Sequence, residues 1–167
     1  MKSIINLFWG ICLLRQSPAV LPGQPAFVTS VVLANIVVSL VVSLSFSEHA
    51  GVYVTLNGII VSHAVTASLV WLVLSARGLT TRFTTALAAL LGCDLVITAC
   101  FGLALPLLML LGSAGATLGF LSFLLWSIAV AGYILHHAAG VRLAIGIGLG
   151  LGLALLSVSI SRIAIGA

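Results

Sequence analysis

Five stretches of this chain run for close to twenty residues or more with almost no charge to hold them in water, and that pattern leaves little choice of fold. They are roughly Ala26–Ser47, Val52–Ala76, Phe83–Leu105, Thr117–Leu135 and Val141–Ile163. A hydrocarbon layer of about 30 Å is crossed by about 20 residues of helix. Inside it every backbone polar group must be satisfied within the segment, which a helix does and an open strand does not. The expected fold class is therefore an all-α integral membrane protein with five transmembrane helices. Composition agrees, since 5% of the residues are charged and 62% are hydrophobic, whereas soluble domains carry about 25% charged residues. With the spans taking up most of 167 residues, the chain reads as a single membrane domain over 1–167.

The connections are short: Glu48-His49-Ala50-Gly51, Arg77 to Arg82, Gly112-Ser113-Ala114-Gly115, and His136 to Gly140. Such links imply antiparallel hairpins between successive spans. They also sort the basic residues, with Lys2, Arg15, Arg77, Arg82 and Arg142 on one side and Arg162 on the other. By the positive-inside rule the N-terminus is cytoplasmic and the C-terminus outside. The net charge of +4 is scattered singly at segment ends, which excludes the basic patch that nucleic-acid binding requires.

Residues 1–25 are expected to form an interfacial helix and a proline-rich approach. Ile4 to Leu14 would make only about 16 Å of helix, and Pro18, Pro22 and Pro25 prevent simple continuation into the first span. A narrow polar edge of Ser3, Asn6 and Gly10 faces away from Phe8, Trp9 and the aliphatics, so this helix is expected to lie at the membrane surface or to pack under the bundle. Lys2 ahead of an apolar stretch resembles a signal peptide, but no small-residue cleavage site follows, which points to an uncleaved element. Near the end of the third run, Pro106 predicts a kinked or re-entrant tail.

Asp94 is one of two acidic residues, and it lies inside the otherwise apolar third run. An ionisable group at that depth costs about 2.5–3.5 kcal/mol on insertion scales, so it is normally turned inward, paired or kept neutral. The partner suggested by depth is His63. Asp94 lies twelve residues from Arg82 and His63 fourteen from Arg77, about 18 Å and 21 Å above the same interface. Such a pair serves either as a polar clasp between helices or as a proton relay; Asn35, Asn57, Ser62, Thr66 and Thr98 are the residues that could extend a polar track.

In the last run Gly146, Gly148, Gly150 and Gly152 form two overlapping small-xxx-small pairs, a face for close helix packing. No strand precedes them, so a nucleotide-binding glycine loop is not expected. His136 and His137 are adjacent and point about 100° apart on a helix, which makes no joint metal face. Cys12, Cys93 and Cys100 fall at unrelated spacings within apolar stretches, as buried thiols do. No metal site and no cofactor are expected.

The layout resembles the Yip family of small membrane proteins, including its bacterial members. The likeness lies in a short approach ending in Leu13-Leu14-Arg15-Gln16-Ser17-Pro18, then five closely spaced helices and an outside C-terminus. It implies a helical membrane domain acting through protein or lipid partners, with no known reaction. The acidic, tyrosine- and glycine-containing motif of the trafficking members is not in this sequence, so the resemblance implies no GTPase binding and carries over no functional residue. These features lead to the expectation of a non-enzymatic multi-pass scaffold or accessory subunit in a cell membrane, the inner membrane of a bacterium. Its expected partners are the lipid bilayer and a membrane protein or a second copy of the chain, with no nucleic acid. The alternative is a small transporter or proton-conducting element using His63 and Asp94.

Overall fold

The computed structural model of the protein describes residues 4–46 and 51–165. The expectations for Lys2, for Glu48 and His49 in the first outer turn, and for the Arg162 side chain lie outside what is described. Among the described residues the chain is helical, with a short α1 (Ile4–Cys12) followed by α2 (Pro25–Phe46), α3 (Val52–Ala76), α4 (Phe83–Leu110), α5 (Gly112–Ala139) and α6 (Leu143–Ile165). Single 3-10 turns fall at Pro18–Val20 and Thr80–Arg82. The five helices α2 to α6 are each long and apolar enough to cross a membrane.

These five close into a ring. Helix α2 packs on both α3 and α4, α4 on α5, α5 on α6, and α6 returns to α3. Although the short Arg77–Arg82 link joins α3 to α4, those two touch only sparingly. Successive spans are therefore not all side-by-side hairpins, because α2 sits against both members of the second one.

Small residues set the close approaches. A methyl group on Gly146 would overlap the carbonyl oxygen of Gly132, and one on Gly150 would come within 2.9 Å of the Gly132 nitrogen. Backbone meets backbone here between α5 and α6. Between α2 and α4 the same device appears at Gly102, where an added Cβ would lie 2.8 Å from a Val42 methyl.

Two turns are tighter than the sequence suggests. Helix α4 continues through Pro106 to Leu110 as one element, so the tail is an extension of the helix and not a re-entrant piece, and α5 begins at Gly112. The reversal is confined to Leu111 and Gly112, whose φ of 78° suits glycine. Ser113, Ala114 and Gly115, expected in the loop, form the first turn of α5, since small residues are well tolerated in membrane helices. At its other end α5 runs through His136 and His137 to Ala139 and is stopped by Gly140 in the left-handed region.

Helix α1 is seated on the outside of the ring, against α4. Phe8, Ile11 and Cys12 are buried, and the Phe8 ring occupies the space that any side chain at Gly92 would fill. Trp126 of α5 donates from Nε1 to the carbonyl oxygen of Cys12 at 2.8 Å, and Phe8 stacks on Phe27 of α2 with ring centroids 6.2 Å apart. Gly92 stands ten residues along α4 from Arg82, about 15 Å of helix rise. The sequence places this segment at the membrane surface or under the bundle; what the structure adds is a notch at Gly92 that receives it well along α4.

Candidate functional site

Asp94 of α4 meets α2 and α3 at a single junction. Asn35 of α2 donates from Nδ2 to Asp94 Oδ2 at 3.0 Å and to the backbone oxygen of Leu91 at 2.7 Å. On its other side the Oδ1 of Asn35 lies 2.8 Å from His63 Nε2 on α3. Asn35 is completely buried. The expected partners His63 and Asp94 are thus brought to one place, joined through Asn35 rather than bonded to each other. The reason is the ring order, which sets α2 against both of their helices.

Local bonds hold the arrangement. The Nδ1 of His63 lies 2.7 Å from the carbonyl oxygen of Ile59 one turn earlier, and Ser39 donates to Asn35 Oδ1 at 3.2 Å. The Asn35 amide has a fixed sense, because its nitrogen faces two oxygens and only a donor fits there. Both ring nitrogens of His63 then face oxygens that can only accept.

Asp94 and His63 also border a cavity of about 190 Å3 lined by residues of α3, α4, α5 and α6. Ser62, Thr66, Ser127 and Ser157 add hydroxyl groups to its wall. Ser62 and Ser157 are within 2.6 Å of each other and tie α3 to α6. The volume is enough for a few water molecules. An intramembrane space with a carboxylate, an imidazole and hydroxyls on its wall has the groups needed to hold water or to pass a proton.

The glycine face divides in two. Gly146 and Gly150 are buried in the α5 contact, whereas Cβ atoms at Gly148 and Gly152 would meet nothing within 4 Å. At the α5 terminus His136 Nδ1 bonds the Val141 oxygen and His137 Nδ1 bonds that of Tyr133 at 3.0 Å. Arg77 and Arg82 reach the same end, donating to the carbonyl oxygens of Ala139 and of His137 and Ala138. Cys12 and Cys93 are buried and unbridged, and Cys93 Sγ lies 4.0 Å from the Phe8 oxygen. Among the described residues no group of three or more His, Cys, Asp or Glu is placed to hold a metal ion.

Two participants escape a reading of depth alone. Asn35 is visible in the sequence only as one of several polar residues in apolar runs, and Ser157 carries no signal at all. Comparison with known protein families, with characterised proteins and with solved structures finds no match to this chain.

Proposed function

We propose that this chain is a non-enzymatic multi-pass membrane protein, a scaffold or accessory subunit acting through protein or lipid partners in a bacterial inner membrane. The end bearing Arg77, Arg82 and Arg142 then faces the cytoplasm. One observation carries this reading. The polar side chains at the centre of the ring are used to bind its helices to one another, with Asn35 joining three of them. What the molecule offers to its surroundings is a broad apolar surface, including Leu33, Val37, Leu103 and Leu125. The Yip-like layout inferred from sequence fits the same role. Extraction into native-lipid nanodiscs followed by mass measurement is expected to show a defined assembly. A strictly monomeric particle with no co-purifying protein and no retained lipid would sink the proposal.

The cavity beside Asp94 favours a second reading, a proton-conducting element. Proton flux into liposomes carrying the native chain would be compared with flux through Asp94→Asn. Equal flux removes Asp94 from any conducting role.

A further inference from the structure

Helices α3 and α6 leave an open groove between them. At the end bearing the arginines it widens to about 590 Å3, and Arg77 and Arg142 both line that mouth. Further along, a narrower stretch of about 140 Å3 continues between the same two helices with Leu135 of α5 at its wall, and Val73 and Leu149 border both parts. The narrow part runs past Gly148 and Gly152, the two glycines of α6 that have open space where a side chain would stand. From Arg142 at the mouth to Leu156 at the far end is fourteen residues, about 21 Å of helix. That length exceeds one leaflet of a ~30 Å hydrocarbon layer and falls short of two.

The charge at the mouth selects the occupant. Arg77 and Arg142 are exposed, and no carboxylate lines either part of the groove. Arg77 uses Nε to hold the Ala139 oxygen at 3.4 Å, which fixes its guanidinium at the mouth. Arg82, by contrast, bonds the carbonyl oxygens of His137 and Ala138 and borders a different cavity, so it is not part of this pair. Below the arginines the walls are aliphatic, with Leu72, Ile145 and Leu149 along the mouth. A transmembrane helix from a partner protein would match the glycine floor but would leave two cations at its edge without counter-charge. A phospholipid with an anionic headgroup matches both ends, since basic pockets between membrane helices recognise such headgroups.

We infer that the α3–α6 groove binds one anionic phospholipid, its phosphate between Arg77 and Arg142 and one acyl chain lying along Gly148 and Gly152. This rests on the reading that the chain spans a membrane and works through lipid or protein partners, and it names the lipid class. The test is native mass spectrometry of the full chain from mixed micelles of phosphatidylglycerol and phosphatidylcholine. Phosphatidylglycerol is expected to be retained in preference to phosphatidylcholine. Retention is expected to fall about tenfold or more in Arg77→Gln/Arg142→Gln, given that each basic residue near an anionic surface contributes appreciably. Arg15→Gln, which removes one cation outside the groove, should leave it unchanged. Gly148→Leu fills the groove while keeping both arginines, so it should weaken retention even where the double variant proves hard to prepare. Retention that falls as much for Arg15→Gln as for either groove arginine changed singly, or that survives both groove variants, overturns the site in favour of general surface charge. Displacement of the lipid by inorganic phosphate at millimolar concentration also overturns it, since the site would then serve a free anion. Neither result bears on assembly mass or co-purifying protein, by which the scaffold proposal can stand when the lipid site fails.

Discussion

Replacing Asn35 with leucine tests whether the junction at the ring centre holds the fold together. Leucine has the same branching and number of side-chain heavy atoms as asparagine but bulkier methyl groups, so the change removes the polar contacts without opening a cavity, and any overpacking adds to the loss. Three interhelical bonds disappear, those to Leu91, Asp94 and His63. Side-chain hydrogen bonds between membrane helices average about 0.6 kcal/mol each and reach about 1.7, which gives a loss of about 2 kcal/mol at the mean and about 5 at the limit. Reversible unfolding of the purified protein by SDS in mixed micelles, followed by circular dichroism, measures the difference. Ser39→Ala removes a bond made within α2 and should stay within about 0.5 kcal/mol of the native chain. A loss below about 0.5 kcal/mol for Asn35→Leu would refute the claim that Asn35 ties α2, α3 and α4 together.

Two further changes probe the packing. Gly146→Ala and Gly150→Ala should each destabilise by about 1–3 kcal/mol through overpacking against α5, whereas Gly148→Ala and Gly152→Ala, which meet nothing, should be neutral or slightly stabilising in the same unfolding assay; equal effects from the two rows would contradict the assigned α6 orientation. Gly92→Val should push Phe8 from its seat and expose Cys12, read as faster maleimide labelling in a Cys93→Ala/Cys100→Ala background, with Phe8→Ala restoring slow labelling; unaltered protection of Cys12 would mean that α1 is not anchored through Phe8.

How far the sequence reaches depends on what each signal encodes. Run length and charge placement locate the five spans because the membrane demands a fixed length of apolar helix, and α2 to α6 appear where those runs lie. The same counting gives His63 and Asp94 nearly equal heights. It gives nothing about azimuth. The spans are apolar on every side, so no amphipathic stripe marks an inward face, and the position of α2 between α3 and α4 goes unseen along with the role of Asn35. Glycine misleads in one place and informs in another. Gly112 to Gly115 look like a loop by the habits of soluble proteins, yet three of the four positions turn out to be ordinary helix. The alternating glycines of α6 announce close packing, but which row faces α5 depends on the rotation of that helix.

The α4–α5 hairpin has a mechanical consequence for the surrounding membrane. Each of its helices has 28 residues, about 42 Å of rise, against about 33 Å for the 22 residues of α2. The far tip is apolar and exposed, with Leu107, Leu110, Leu111 and Leu118 at its surface. One wall of the ring is therefore taller than a ~30 Å hydrocarbon layer, whereas the neighbouring α2 nearly matches it. Lipids beside the tall wall must stretch or the hairpin must lean, at a fraction of a kcal/mol for each ångström of mismatch. The elastic strain is lopsided, concentrated on the α4–α5 side. It diminishes when two tall walls share one thickened patch of bilayer, and it favours residence in the thicker regions of a membrane.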